Sequence, residues 1–154
     1  MKELFNSNSY YEGLIQNLYG GAKGCFSAFM HFFYQYNQCN LYYKNYSSCF
    51  KTLYCVELEN CEILSGVLLK MGGDNKFYSC AKKFLSGHNV DYVKNIAQIF
   101  SLDIEFLEIN IIEIKNVYSK IENVFAKEAL SQILQNKKKS LKMLKECYFK
   151  NNLI

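Results

Sequence analysis

Few side chains in this sequence are equipped for chemistry, and their spacing narrows what they could do. Seven cysteines stand at positions 25, 39, 49, 55, 61, 80 and 147, and no two form a Cys-x-x-Cys pair. That pattern argues against a zinc ribbon or a rubredoxin-type iron site, which need paired thiolates at short spacing. The histidines are His31 and His88, and no Glu-x-x-His occurs anywhere in the chain. Residues three apart share a helix face, so a carboxylate and an imidazole at that spacing could grip one metal. No such pair is present. Cys25, Cys55 and Cys61, with Glu57 among them, could supply a soft-metal or redox site, because thiolates favour zinc or copper(I). Against that, Cys55 and Cys61 point about 240° apart on a helix, and cysteine often serves as a small apolar core residue. His31 reads as a core or rim histidine and His88 as part of a connection.

Lysine supplies the other distinctive feature. All eighteen basic residues are lysines, and Lys137, Lys138, Lys139, Lys142 and Lys145 cluster near the C-terminal end. Glu128 and Glu146 lie beside them, so the cluster reads as a solvated helix face and not as a nucleic-acid surface. Lys137 is the odd member, since it interrupts an apolar stripe. Either its stem snorkels to the surface or its charge is paired inside.

The elements that must position these residues are helices. The chain contains no proline, so nothing prevents long ones. Apolar residues recur at three-and-four spacing in four segments. The first is expected over Ser9–Asn37, with Leu14, Leu18, Ala22, Cys25, Phe29, Phe32 and Tyr36 on one stripe. The second is expected over Tyr46–Met71, stopping at Gly72–Gly73, a helix-ending signal. The third spans Val90–Tyr118 and the fourth Ile121–Phe149. Short links near Gln38–Asn45 and Lys120–Asn123 predict two hairpins, and Gly72–Asn89 predicts one long connection between them. Gly20, Gly24 and Ala28, four apart, predict close approach of a neighbouring helix, with a dimer contact as the alternative. Cys25, Asn60, Leu107 and Lys137 each fall on the stripe of their own segment, so they should meet near the bundle axis.

With 154 residues, half of them apolar, the chain predicts one domain, residues 1–154, able to bury a core. No apolar run approaches the ~18–20 residues needed to cross a bilayer. An odd cysteine count without a secretory signal predicts reduced thiols and a cytoplasmic setting. The net charge of +4 permits an anionic partner without requiring one.

Three stretches resemble the rubrerythrin-like branch of the ferritin-like superfamily. They are Leu18-Tyr19-Gly20-Gly21 with Ser27-Ala28-Phe29 and Tyr34-Gln35; Val56 to Leu64 with Lys70-Met71-Gly72-Gly73-Asp74; and Ser86-Gly87, Val90, Tyr92 with Leu102-Asp103-Ile104-Glu105. The resemblance implies an all-α, ferritin-like four-helix bundle with a long crossover between helices 2 and 3. It also implies two iron or manganese ions held by glutamates and Glu-x-x-His pairs. Carried over residue by residue, the ligand positions fall on Cys25, Glu57, Asn60, Leu107, Lys137 and Ser140, with Glu105 and Glu108 near the helix 3 position. Glu57 alone keeps its ligand type.

The expectation is therefore a degenerate site in which Lys137 pairs with Glu57, its ammonium supplying the positive charge that metals would provide. No catalytic residue, metal or other cofactor is expected. The function implied is that of a metal-free, non-catalytic bundle acting by association as a homodimer or with a related ferritin-like subunit, and without a membrane. The alternatives are a di-iron or di-manganese oxidoreductase or metal-storage protein, and a thiol-based soft-metal or redox site.

Overall fold

A computed structural model describes residues 9–152. The regular elements are all helical: α1 (Ser9–Gly20), α2 (Cys25–Tyr42), α3 (Lys44–Lys70), α4 (Ile96–Lys120) and α5 (Val124–Asn152), with a short 3₁₀ turn at Gly87–Asn89. Among the described residues the only β pairing is an isolated bridge between Tyr78 and Phe84.

The four long helices α2–α5 form the bundle. Cys25, Ala28, Phe32, Gln35 and Cys39 on α2, and the stripes on α3, α4 and α5, turn inward. Asn95 caps α4 by accepting the Gln98 N–H at 3.1 Å, and Asn123 accepts the Ala126 N–H at 2.9 Å at the start of α5. Both caps satisfy amides that a first helical turn leaves unpaired. At the end of α3, Gly72 takes φ 80°, the Gly73 N–H reaches the Leu68 carbonyl at 2.9 Å and the Gly72 N–H reaches that of Leu69 at 3.2 Å. This Schellman arrangement uses glycine where a Cβ would be strained.

Three boundaries differ from the sequence expectation. The first helix is broken in two: Gly21–Gly24 closes α1 and opens α2. A Cβ on Gly24 would lie 2.8 Å from the carbonyls of Asn17 and Leu18, so only glycine lets the chain fold this closely onto the end of α1. The link between α2 and α3 shrinks to Tyr43, because residues 38–42 contain nothing that stops a helix. Finally α4 begins at its Asn95 cap instead of at Val90, and the preceding residues belong to the connection.

The glycine stripe also has a different cause from the one expected. A Cβ on Gly20 would sit 2.3 Å from the Tyr78 carbonyl oxygen, so this glycine admits the backbone of the long connection. Gly24 serves the helix break, and Ala28 is fully buried in the core. Neither a bundle helix nor a dimer contact accounts for the spacing.

The contacts between helices set their directions. Glu57 meets Lys137 while Cys49 and Cys147 line one groove, so α3 and α5 are antiparallel, and Lys23 meets Asn110 while His31 meets Asp103, so α2 and α4 are too. With α2 and α3 joined as a hairpin, α3 and α4 must run the same way. Residues 71–95 therefore return the length of the bundle. They start beside α1, where Gln16 Nε2 donates to the Lys76 and Tyr78 carbonyls at 3.1 and 2.8 Å and the Tyr19 hydroxyl donates to the Asn75 carbonyl at 2.9 Å. They end beside Tyr43, whose hydroxyl donates to the Lys94 carbonyl at 3.1 Å.

The core has two apolar halves. One gathers Ile15, Leu18, Leu64, Leu68, Leu130 and Ile133; the other gathers Phe32, Phe50, Leu53, Phe100, Leu107 and Leu144. On α3 the residues between Leu53 and Cys61 include Glu57 and Asn60; on α4 Asn110 lies between Leu107 and Ile114; on α5 Lys137 and Ser140 lie between Ile133 and Leu144. A polar layer thus divides the core at mid-height.

Candidate functional site: a buried polar layer

Lys137 and Glu57 are both fully buried, an arrangement that long charged side chains adopt only when paired. Lys137 Nζ lies 2.7 Å from Glu57 Oε1 and donates to Oε2 at 2.9 Å. It also donates to Asn110 Oδ1 at 2.8 Å. Asn60, one turn along α3, donates to Glu57 Oε2 at 3.3 Å and accepts from Asn136 Nδ2 at 2.9 Å. Asn136 in turn accepts from Gln132 Nε2 at 3.1 Å. At the other end, Asn110 Nδ2 donates to the Lys23 carbonyl at 3.2 Å, tying the layer to the α1–α2 break. One hydrogen-bonded chain therefore runs from α5 through α3 to α4 and on to the link before α2.

The electrostatics follow from this packing. Burial alone would pull the Lys137 pKa down, but the Glu57 carboxylate, with Cys25 beside it, outweighs this and raises it above the ordinary lysine value. Cys25 lies against the pair. Burial pushes its thiol up to about 12, with Lys137 opposing and Glu57 reinforcing the rise. The Cys61 thiol is raised by burial as well.

The remaining candidates are placed differently. Ser140 is buried one turn beyond Lys137. Leu107 is buried, but in the aromatic half of the core, and Asn110 takes the α4 position in the layer. Glu105 and Glu108 face solvent, where Glu108 accepts from Lys145 at 2.9 Å. Cys55 is exposed and does not join Cys25 and Cys61. The three cysteines and Glu57 are therefore not brought together as one cluster. His88 sits in the connection, bonded to the Ser86 hydroxyl.

No family model matches the chain, and no curated protein or solved structure matches it either.

A di-metal centre can be tested against the donor set at this level. The layer offers one carboxylate, three asparagines and no imidazole, and that carboxylate is paired with an ammonium. Metal ligands must be anionic or neutral donors with free lone pairs, so these residues do not fit such a centre. Among the described residues no group of three or more His, Cys, Asp or Glu side chains is disposed to hold a metal ion.

A second buried polar cluster lies within the aromatic half of the core. His31 and Gln35, one turn apart on α2, both reach Asp103 of α4: His31 Nε2 is 2.7 Å and Gln35 Nε2 3.0 Å from its Oδ1. Burial raises the Asp103 pKa; the His31 and Gln35 bonds oppose the rise and Asp91 adds to it. The sign is that of a raised acid. Folded Asp103 holds a proton where the unfolded chain has released it, so its contribution to stability is full below its ordinary value of 3.8. That contribution is lost as pH rises through the folded pKa. Asp103→Asn keeps an acceptor for both neighbours and removes the titration. The urea midpoint of wild type minus that of the variant is expected to fall as pH rises above about 4. A constant difference would show that folding does not shift the Asp103 pKa.

Proposed function

We propose that this chain is a non-catalytic member of the ferritin-like bundles, in which the Lys137–Glu57 pair stands where a di-metal centre would be, and that it acts by association with a second copy of itself. The observation that carries the reading is the ammonium of Lys137 bridging Glu57 and Asn110 at mid-height of the core. It supplies positive charge beside the one carboxylate of the layer, where peroxide or dioxygen chemistry would need metals with open positions. The direction of the helices, with a connection that returns the length of the bundle, supports the ferritin-like topology.

A surface for association lies on the outer side of α2 and α3. Phe26 stacks on Phe77 with centroids 4.1 Å apart, and Phe29, Phe33, Tyr36 and Tyr54 continue the aromatic row. Phe33, Leu58, Leu69 and Phe77 remain between 42% and 55% exposed along it, an apolar patch of the kind that marks an interface. The charges along the exposed side of α3 are self-complementary. Lys44 and Lys51 occupy its first half and Glu59 and Glu62 its second, while Lys70 at its end turns over the Phe125 ring. An antiparallel two-fold pairing brings each copy's Lys51 against the other's acidic half.

Two measurements test the two parts. Loading with iron(II), manganese(II) or zinc followed by mass spectrometry should give well under one metal per chain; about two iron or manganese ions per chain would restore the oxidoreductase or storage reading. Sedimentation equilibrium should give a dimer that Phe33→Glu converts to a helical monomer. A wild-type monomer would remove association between copies.

A further inference from the structure

Away from the polar layer, at the end of the bundle where α3 begins and α5 ends, two cysteines from helices far apart in sequence come together. Cys49 of α3 and Cys147 of α5 pack at the same edge of the aromatic half of the core. Both line one surface groove of about 440 Å³, together with Thr52, Met143 and Lys150. Cys147 is half-buried and open to this groove, whereas Cys49 behind it is buried. Cys39, at the end of α2, packs in the same half of the core and is wholly buried. The other exposed cysteines, Cys55 and Cys80, are not part of this cluster.

We infer that Cys49 and Cys147 form a reversible disulfide on exposure to a peroxide, cross-linking the start of α3 to the end of α5. Cysteines that line one groove on two packed helices can reach disulfide geometry with a small movement of the backbone. The asymmetry of burial assigns the order of events. Cys147 meets the oxidant first, as its thiolate, with the Lys150 ammonium and the Cys49 S–H both favouring that form. The sulfur attacks one peroxide oxygen, the O–O bond breaks, and the leaving hydroxide takes up a proton to become water. This gives the sulfenic acid of Cys147. The sulfur of Cys49 then displaces its hydroxyl, which leaves as water with the Cys49 proton. In sum, two thiols and one hydrogen peroxide give one disulfide and two waters. Burial raises the pKa of both thiols, so the reaction should be slow at neutral pH and should accelerate as pH rises.

The link would close a loop spanning most of the chain, which restricts the unfolded state strongly. The test uses the full chain carrying Cys55→Ser and Cys80→Ser, so that contacts between molecules do not contribute. The reduced protein is treated with hydrogen peroxide, alkylated and analysed by intact mass and peptide mapping. The expected result is a loss of about 2 Da, a Cys49–Cys147 cross-linked peptide, and a rise in Tm of about 10 °C that dithiothreitol reverses. Adding Cys147→Ser should abolish the cross-link. Adding Cys49→Ser should leave a Cys147 sulfenic acid that dimedone traps, which gives a readout even if one variant folds poorly. A cross-link running to Cys39 instead, or an unoxidised Cys49 and Cys147 while other residues react, would overturn the inference.

Discussion

Replacing Glu57 alone with leucine is expected to destabilise the bundle by about 3–5 kcal/mol, because it leaves the Lys137 ammonium buried with only Asn110 to accept from it. Lys137→Met is expected to cost less, about 1–3 kcal/mol. The remaining carboxyl can protonate and keep its bond from Asn60, although Asn110 loses its donor. Combining the two should recover part of the Glu57→Leu loss, since the double variant buries no charge. Urea denaturation of the four proteins gives the coupling directly. Equal stability of wild type and Glu57→Leu would mean that the lysine reaches solvent and that the pair is not buried.

The second large effect concerns the aromatic half of the core. Phe100 is fully buried, and its ring centre lies 5.0 Å from those of Tyr46 and Tyr148 and 5.5 Å from that of Phe50. It therefore joins the start of α3 to the end of α5 through one side chain of α4. Phe100→Ala is expected to cost about 3–5 kcal/mol, combining lost burial with a cavity that rigid rings on three sides cannot fill. Thermal denaturation checks this. A loss below about 1 kcal/mol would mean that the neighbouring tyrosines collapse into the space.

The extent to which these features were legible in sequence depends on whether the deciding force was local. The bodies of α3, α4 and α5 follow from apolar periodicity, and the end of α3 from Gly72, because period and cap are both properties of neighbouring residues. The division of α1 from α2 is not local. The apolar stripe runs on through Ala22 and Cys25, and what makes Gly20 and Gly24 necessary is contact with Tyr78 and with the preceding turn. Lys137 stands out in the sequence because a charge on an apolar stripe is costly to bury. Asn110 and Asn136 do not stand out, since a neutral amide is at home on many surfaces. Their roles depend on what faces them across the bundle. Asp103 and His31 left a fainter signal, as two polar residues at inward positions, and only the packing of α2 against α4 joins them.

Dividing an apolar core with a polar layer also fixes the register of the helices. Leucine, isoleucine and phenylalanine stripes on α3 and α5 would tolerate a slip of one turn, since one apolar contact replaces another at small cost. The Lys137 ammonium tolerates no such slip. A one-turn displacement along α3 would carry it away from Glu57, toward Leu53 in one direction and toward Asn60 and Cys61 in the other, and would part the ammonium from the carboxylate. Both shifted alignments bury separated charges, so the layer discriminates against misaligned bundles even where it adds nothing to the stability of the correct one.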